Sequence, residues 1–384
     1  MPSLLIVIFL ITMSTSIISP LVGPLFFSDH GFLPHANDSL KMYAYSLTMG
    51  VYALGMIVGN PVWGMIADKK GQKRAIIWAL TGSLFGYALC FISFFLFAGV
   101  AFFFLGRAID GLMAGRRAIA LSMLAAATED KFSAFRFSEM ATAAGLLLGP
   151  LIAGLLTNFS EKVPFYYYAS PIVLMLLLVL VNIFVLTKKL KPISPANVSD
   201  RKKILFNSKT LTLFFNFFIF QLAWYLYFIY VTPYIILKWH FTPFLVGAFF
   251  SILVLIYLFS LAIIAPCLKR CIKETHLMKI CLIVAALLLT LIGRGLDNLY
   301  LFFICNAGIV TAMAINTPIY MTKISNLSNN QEQGKPMGIQ TSVIGLAWLT
   351  AALCIGYLAS LTMEMPFLAG GITMAIAAIT NQFL

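Results

Sequence analysis

Long apolar runs dominate this chain, and about 20 apolar residues are enough for one helix to cross a lipid bilayer. Twelve runs reach that length or come close to it. They cover residues 2–27, 41–67, 75–97, 99–126, 138–157, 164–187, 210–237, 243–266, 277–293, 297–321, 336–360 and 366–384. A polar segment with seven basic residues, 188–209, separates the first six runs from the last six. The pattern predicts two six-helix bundles, 1–187 and 210–384, joined by this linker.

The composition supports an all-α integral membrane protein. Charged residues make up 10% of the chain and hydrophobic residues 61%, whereas a soluble domain averages about 25% charged residues. The formal net charge is +13. On a basic soluble fold this charge would suggest nucleic-acid binding. Here the basic residues lie mainly between the apolar runs, so we expect a lipid bilayer, and no nucleic acid, as the partner.

The distribution of basic residues predicts the orientation of the chain. If residue 1 lies in the cytoplasm, five cytoplasmic loops contain nineteen of the 26 lysines and arginines, and the outer loops and helix ends contain four. Cytoplasmic loops of membrane proteins carry such an excess. We therefore expect a multi-pass protein of the inner (plasma) membrane with both termini in the cytoplasm. Residues 1–27 lack the basic start of a signal peptide and are expected to remain as a helix.

The polar segment GMIADKKGQKR, from Gly64 to Arg74, begins within the last residues of the second apolar run and continues beyond it. It must lie at a water interface because its charges are costly in lipid. Gly64 would let neighbouring helices approach closely, and Gly71 would permit a tight reversal of the chain. Asp68 could accept hydrogen bonds from the N-terminus of a nearby helix, whose dipole favours a carboxylate. The alternative is that the segment is only a topological anchor.

The basic end of this segment is expected to pair with acids at the end of the fourth apolar run. Lys73 and Arg74 could contact Glu129 and Asp130. The predicted cytoplasmic cluster consists of Gly64, Asp68, Gly71, Lys73, Arg74, Glu129 and Asp130. The corresponding turn of the second half, APCLKRCIKE from Ala265, has neither glycine nor aspartate. Only the first half therefore carries the full set of these residue types.

Charged side chains also occur within the fourth apolar run, GRAIDGLMAGRRA. Ionisable residues inside a membrane span are costly and are functional by default. On a continuous helix, at about 100° per residue, Arg107, Asp110 and Arg117 share one face. Arg116 points away from the other three. The periodicity thus predicts a charged face made by Arg107, Asp110 and Arg117.

We expect Asp110 to be the leading proton site, because it is the one acid placed deep within a predicted span. Glu139, near the start of the fifth run, is the second choice. Arginine stays protonated, so Arg107 would tune Asp110 rather than carry the proton. Arg116 or Arg117 facing a cavity would favour an anionic or zwitterionic substrate. Alternatively, Arg107 and Asp110 form a neutralised structural pair, and the other two arginines snorkel to the cytoplasmic interface.

The fifth apolar run contains the sequence GLLLGPLIAG, with glycines at 145, 149 and 154 and a proline at 150. Small residues four apart allow two helices to pack closely, and proline can bend a helix. Gly145, Gly149, Pro150 and Gly154 are therefore predicted to form a close-packed surface against a neighbouring helix.

A substrate cavity is predicted from polar and aromatic residues of the second half, with Arg117 contributed by the first. Gln221, Trp224 and Tyr225 belong to the seventh run, and Asn306 belongs to the tenth. Gln340, in the eleventh run, completes the set. Amides and amphipathic aromatics suit an adaptable, largely apolar pocket. The alternative is an interfacial aromatic belt with hydrogen bonds between helices.

Several of these patterns resemble motifs of the major facilitator superfamily of transporters. Residues 64–74 fill its GxxxD(R/K)xGx(R/K)(R/K) signature, and residues 145–154 resemble its antiporter motif, with Ala153 in place of one glycine. Arg107 to Gly111 resembles its fourth-helix RxxxG motif. The chain is most similar to the 12-helix drug:proton antiporter branch, which includes the tetracycline exporters. The resemblance implies two bundles related by a pseudo-two-fold axis and an arginine associated with proton coupling. It also implies that the predicted cytoplasmic cluster from Gly64 to Asp130 acts as a conformational latch between the halves.

Two departures from that branch bear on mechanism. The family commonly has glutamine where this chain has Asp110, and the first helix lacks the aspartate that tetracycline exporters carry. The resemblance implies a secondary transporter, expected as a monomer, that moves a small molecule by alternating access. Proton-coupled efflux of a drug or amphipathic metabolite is the expected function. The alternative is proton-coupled uptake of an anionic or zwitterionic metabolite.

Enzyme and metal signatures are missing from the sequence. It contains no HExxH, no Walker lysine loop and no Asp-rich metal motif. Cys267 and Cys271 are one helical turn apart but have no partners at zinc-site spacing. We expect no enzymatic activity, no metal and no cofactor, with a proton gradient as the energy source.

Overall fold

The computed structural model describes most of the chain. The described residues are 2–18, 21–22, 25–26, 32–33, 35–36, 38–96, 99–159, 164–189, 208–241, 243–328 and 333–381. The predicted linker, 188–209, lies almost entirely outside them. The division of the chain at that linker therefore stays a prediction.

The regular elements of the described chain are helices. They are α1 (Pro2–Ser16), α2 (Asp38–Lys70), α3 (Gln72–Ile92), α4 (Gly99–Leu112), α5 (Gly115–Ala126), α6 (Lys131–Phe159), α7 (Pro164–Lys189), α8 (Ser208–Trp239), α9 (Pro243–Phe259), α10 (Ala265–Cys271), α11 (Glu274–Ile292), α12 (Leu299–Ser325), α13 (Gly334–Leu361) and α14 (Met365–Thr380). A 3₁₀ turn, Ser93–Phe95, extends α3. A π-helical turn, Ser260–Ile264, joins α9 to α10.

Eight helical segments among the described residues are long and apolar enough to cross a membrane, and α1 and α14 are shorter apolar helices. Large apolar side chains on these helices face outward. Leu353 is 74% exposed and Leu287 is 65% exposed. Soluble proteins rarely expose extended apolar surface, whereas such surface is stable in contact with the hydrocarbon of a bilayer.

The fourth apolar run differs from the prediction, because it forms two helices rather than one. α4 ends at Leu112, Met113 and Ala114 form a turn, and α5 begins at Gly115. Trp63 of α2 donates its indole N–H to the carbonyl oxygen of Leu112 at 3.0 Å. That bond gives a partner to a backbone acceptor at the end of α4, where helical carbonyls lose their intrahelical partners.

The helices form two compact units. The first unit comprises Met1–Glu129, Ala141–Lys202 and Ser328–Ser342, and the second comprises Asp130–Met140, Lys203–Leu327 and Val343–Leu384. Two helices are divided between the units. α6 begins in the second unit and continues in the first, whereas α13 begins in the first and continues in the second.

Each unit has its own packing order. In the first, α3 packs against α2, α4, α5 and α7, and α1 packs against α5 and α7. In the second, α14 contacts α8 and α11, and α12 contacts α9 and α11. The ring of Tyr234 meets Phe367 edge-on at 4.8 Å between centroids, a favourable geometry for aromatic pairs. Aromatic packing of this kind contributes to the core of the second unit.

Candidate functional site

A buried ion cluster lies at the break between α4 and α5. Arg107 Nη1 lies 3.3 Å from Asp110 Oδ2, and Arg116 Nη2 lies 2.9 Å from Asp110 Oδ1. The exposures are 4% for Arg107, 0% for Asp110 and 1% for Arg116. Charges this deeply buried must be paired to be tolerated. Two guanidinium groups share one carboxylate, so these three side chains carry an excess of positive charge.

The contact with Arg116 corrects the prediction from helical periodicity. A continuous helix places Arg116 opposite Asp110, but the turn at Met113 and Ala114 interrupts the regular helix. The backbone N–H groups of Arg116 and Arg117 bond three residues back, to Met113 and Ala114, which is the tighter 3₁₀ pattern. Arg116 therefore reaches Asp110, and the idea that it snorkels to the interface is wrong.

Neighbouring side chains hold Arg116 in this cluster. Its Nη1 donates to Ser83 Oγ at 2.5 Å and to the carbonyl oxygen of Met113 at 3.2 Å. Its Nη2 donates to the hydroxyl of Tyr87 at 3.0 Å. Ser83 and Tyr87 are one turn apart on α3 and are both fully buried. Neither residue is among the predicted site residues, although two polar residues four apart in an apolar helix are a usable signal.

Close packing of α3 and α4 sets the backbone position of Asp110. A Cβ atom added at Gly86 would lie 2.9 Å from the carbonyl oxygen of Gly106 and 3.2 Å from the backbone nitrogen of Asp110. Arg107 is held from the other side, because its guanidinium lies 4.2 Å from the ring centroid of Tyr52. Cation–π contacts at this distance are favourable. Both charged partners of α4 are thus positioned by neighbouring helices.

The carboxylate of Asp68 contacts the N-terminus of α13. Asp68 Oδ1 accepts the backbone N–H of Gly334 at 2.9 Å, and Oδ2 accepts that of Lys335 at 2.8 Å. The first N–H groups of a helix have no intrahelical partners, and the helix dipole favours an anion there. The predicted hydrogen bonding of Asp68 to the N-terminus of a helix is therefore confirmed.

Close packing is predicted from the sequence at Gly64, and the structure adds a second closely packed glycine, Gly338, beside the same contact. A Cβ atom at Gly64 would clash with the carbonyl oxygen of Gly334, and one at Gly338 would lie 2.7 Å from that of Asn60. Gly71 has a φ of 93° and directly precedes α3, a backbone conformation that glycine adopts without strain. The predicted close approach at Gly64 and the reversal at Gly71 are confirmed.

The charged end of the latch makes other contacts. Lys73 Nζ donates to the carbonyl oxygen of Thr187 at 3.1 Å. Asp130 Oδ1 accepts the backbone N–H of Ser133 at 3.1 Å, and Asp130 and Glu129 are exposed. Hydrogen bonds from Ser133, together with the positive charges of Lys269 and Arg136, hold the pKa of Asp130 below its usual value. Pairing of Lys73 and Arg74 with these acids stays a prediction.

The glycines of α6 pack against α1. A Cβ atom at Gly145 would lie 2.9 Å from the backbone nitrogen of Met13, and one at Gly149 would clash with Ser16 Oγ. Ser16 donates to the carbonyl oxygen of Gly145 at 3.0 Å. Pro150 lies within the same helix. The expected close-packed surface is present at Gly145 and Gly149, while the side-chain surroundings of Gly154 lie outside the described structure.

The predicted cavity residues of the second half have varied surroundings. Asn306 is fully buried, accepts a hydrogen bond from the Tyr227 hydroxyl at 2.5 Å, and donates to the carbonyl oxygen of Phe302 at 2.6 Å. Gln221 is 5% exposed. Hydrogen bonds of the Asn306 type join neighbouring helices. They agree with the structural alternative for that residue, and its cavity role stays a prediction.

Aromatic stacking surrounds the other predicted cavity residues on α8. Trp224 stacks on Phe228 with centroids 5.4 Å apart, and Tyr225 stacks on Trp348 at 5.6 Å. Gln340, on α13, is fully buried, and neither atom of its side-chain amide has a hydrogen-bond partner among the residues that the structure describes. Arg117 is half-buried. Roles for these four residues in a substrate cavity stay predictions.

An all-helical, multi-pass membrane fold with an ion cluster buried among its helices is typical of a transporter. Residues 4–292 and residues 213–384 each match the family model of the Major Facilitator Superfamily. The chain belongs to this superfamily, and it is therefore a membrane transporter and not an enzyme.

Two kinds of relative carry names that indicate drug resistance. The class H tetracycline resistance protein of Pasteurella multocida is 24% identical over 373 residues, which cover 91% of this chain and 88% of that protein. Multidrug resistance protein MdtG of Rahnella sp. is 25% identical over 221 residues, 56% of this chain and 51% of that protein.

Solved structures of the superfamily share the fold. The human organic anion transporter MFSD10 (TETRAN) superposes with a TM-score of 0.79 at 15% identity, covering 99% of this chain and 98% of that one. The fucose:proton symporter FucP of E. coli gives a TM-score of 0.77 at 13% identity, covering 100% and 97%. At such identities the likeness concerns the fold alone, and it agrees with the predicted all-α architecture.

Proposed function

We propose that this transporter is a proton-coupled exporter of an amphipathic small molecule, such as a drug or a metabolite. The observation that carries the proposal is the buried cluster of Arg107, Asp110 and Arg116. An ionisable carboxylate inside a membrane fold is the kind of group that proton-driven transporters use. The names of the tetracycline and multidrug resistance relatives support the direction of transport.

Asp110 is the proposed proton carrier, and Arg107 is its partner. Protonation of Asp110 would remove the negative charge that compensates two buried guanidinium groups. Arg107 and Arg116 would then repel each other in a medium of low dielectric constant, where such repulsion is strong. The cluster would have to open or exchange partners, so proton binding would favour a different arrangement of α4 and α5.

The contact between Asp68 and the start of α13 is the proposed conformational element of the cycle. α13 continues from the first unit into the second. Making or breaking the hydrogen bonds to Gly334 and Lys335 would therefore act on a helix that both units share. In this proposal the latch affects the rate of the cycle more than the binding of substrate.

Proton-coupled transport of an anionic or zwitterionic metabolite is the second candidate. The excess positive charge of Arg107 and Arg116 over Asp110 favours it, because guanidinium groups bind carboxylate and phosphate well. A solved structure with the same fold is named as an organic anion transporter. Uptake rather than export would then require substrate and proton to move in the same direction.

The remaining assignments belong to the same proposal. The twelve spans form two bundles that are related by a pseudo-two-fold axis. Both termini lie on the cytoplasmic side of a bacterial inner membrane. The protein acts as a monomer in the lipid bilayer, without nucleic acid, metal or cofactor. The proton gradient supplies the energy.

Transport in proteoliposomes tests the proposal. The purified protein is reconstituted, and pH gradients of each sign are imposed with tetracycline, ethidium or carboxyfluorescein as the probe. Proton-coupled export predicts that tetracycline or ethidium moves against its gradient when protons move the opposite way. Carboxyfluorescein moving together with protons would instead support the second candidate. If the fluxes of all three probes did not change with the pH gradient, proton coupling would be contradicted.

A further inference from the structure

A second buried acid lies in the second unit, at Glu139 near the start of α6. Glu139 is only 6% exposed, and its Oε2 accepts a hydrogen bond from the Tyr257 hydroxyl at 3.1 Å. Among the acids whose side-chain burial the structure describes, Glu139 and Asp110 are the two that are buried. The mechanism proposed above uses Asp110 and leaves Glu139 without a role.

Tyr257 stands next to an irregular part of its helix. It lies three residues before the π-helical turn Ser260–Ile264. π turns are rare and occur frequently at functional sites. Within this turn, Ser260 Oγ lies 3.0 Å from Thr311 Oγ1 of α12, so the turn is tied to a second helix of the same unit.

A second contact joins the same two segments beside the carboxylate. Arg136 Nη1 donates to the carbonyl oxygens of Leu261 and Ala262, both at 3.2 Å. Arg136 and Glu139 are three residues apart on α6 and therefore neighbours on one face. Tyr257 and Leu261 are four residues apart on the other segment. The two contacts are thus adjacent, and each joins α6 to the α9 helix or its π turn.

We propose that Glu139 is a second proton-binding site, and that its charge state controls how the start of α6 docks on α9 and the π turn. The deprotonated carboxylate accepts a charge-assisted hydrogen bond from Tyr257, and such bonds are roughly twice as strong as neutral ones. A proton bound at Glu139 converts this bond to a neutral one. It also removes the anion that stands one turn from the guanidinium of Arg136.

Protonation therefore weakens the hydrogen bond from Tyr257 and favours release of the start of α6 from α9. Tyr257 on α9 places its phenol against Glu139, and the positively charged Arg136 lies about one helical turn away on α6. Because α6 continues into the first unit, the proton at Glu139 is linked to a helix that both units share. The inference rests on the proposed proton-coupled function and adds a second protonation site to it.

Infrared difference spectroscopy without substrate tests proton binding directly. Acidification of the wild-type protein should produce a carbonyl band of a protonated carboxylic acid, and E139Q should lack one component of that band. Y257F should shift this component in the wild-type background and have no effect in the E139Q background. Y300F is the matched control, since Tyr300 is 83% exposed, and its band should match that of the wild type.

Identical acidification spectra for E139Q and wild type would overturn the proposal, as would a Glu139 component that Y257F leaves unmoved. If E139Q fails to fold, E139D serves in its place and should retain the component at a shifted frequency. Proton binding at Glu139 is read here without any transport, so the outcome does not depend on the proposed function.

A flux experiment then tests the link to transport. With tetracycline as the probe, E139Q should lower proton-driven flux by about tenfold, within the range typical of coupling between two sites, and should leave counterflow at equal pH nearly unchanged. If proton-driven flux in E139Q equalled that of the wild type, the link between Glu139 and transport would be overturned. Absence of proton-driven flux in the wild-type protein would count against the proposed function instead, and the infrared result would stand on its own.

Discussion

Asp68 binds Gly334 across 266 positions of the chain, through a 2.9 Å hydrogen bond from a backbone N–H to a carboxylate oxygen. The second oxygen binds the next N–H, that of Lys335, at 2.8 Å. A single side chain thus caps the start of α13.

We expect D68A to slow transport more than D68N, and both to affect the rate more than the apparent affinity. D68A removes both acceptors from α13, while D68N keeps one of them and loses the favourable charge. Loss of a helix cap typically costs about 0.5–2 kcal/mol. Initial rates measured over a range of probe concentrations separate the two effects. D297N, at a residue whose side chain is 93% exposed, is the control, and normal turnover in D68A would show that the latch is dispensable.

G64A should destabilise the protein, because the added methyl group would clash with the backbone of Gly334. Overpacking typically costs about 1–3 kcal/mol. G50A, on the same helix, is the matched control, since a Cβ atom there has nothing within 4 Å. Alanine in a helix is favoured over glycine by up to about 1 kcal/mol, so G50A should be neutral or stabilising. Thermal unfolding of both variants in the same detergent measures the difference, and equal Tm values would contradict it.

R116M should be destabilising, because it leaves the buried hydroxyls of Ser83 and Tyr87 without their donor, while Asp110 keeps Arg107 as its partner. A buried polar group that loses its hydrogen-bond partner typically costs about 1–3 kcal/mol. R270M, at an exposed position of α10, should change the free energy of unfolding far less. A Tm for R116M that matches that of R270M would show that Arg116 does not hold the cluster together.

D110N should abolish proton-driven accumulation while leaving substrate exchange measurable, because asparagine cannot carry the proton. Counterflow at equal pH shows whether the variant still folds and binds its probe. Proton-driven accumulation at the wild-type level in D110N would contradict the role of Asp110. Comparison with E139Q separates the two proposed proton sites.

The pH dependence of stability should contain a contribution from Asp130. The pKa of Asp130 is lowered in the folded protein, so the stabilisation is present above the pKa of the unfolded chain and is lost as the pH falls through the folded value. D130N lacks this contribution. The Tm difference between wild type and D130N should therefore be largest near neutral pH and vanish in acid, and a difference independent of pH would contradict the assignment.

The sequence predicts the chemistry of a contact better than its partner. The motif at 64–74 indicates an Asp68 carboxylate bound to some helix N-terminus, because residue type and local geometry determine that much. It cannot indicate α13, since the choice of partner depends on packing between distant segments. Gly64 and Gly334 approach each other closely only in the folded chain.

The fourth apolar run shows where periodicity fails. The prediction for Arg116 assumes an uninterrupted helix, and the sequence around Met113 contains no proline that would signal a break. The turn is stabilised by tertiary contacts, including the bond from Trp63 to Leu112 and the close packing of Gly115 against Trp63. A local pattern cannot report such contacts. The pairing of Arg116 with Asp110 therefore becomes visible only in three dimensions.

The division of α6 and α13 between the two units has a consequence for protein engineering. If the chain were cut within residues 190–207 and expressed as two fragments, each fragment would contain a helix start that belongs with the other fragment's unit. Residues 130–140 would lose the segment that carries Tyr257, and residues 334–342 would lose Asp68. Neither fragment would be a self-sufficient folding module, and co-expression of both would be needed to restore the native packing.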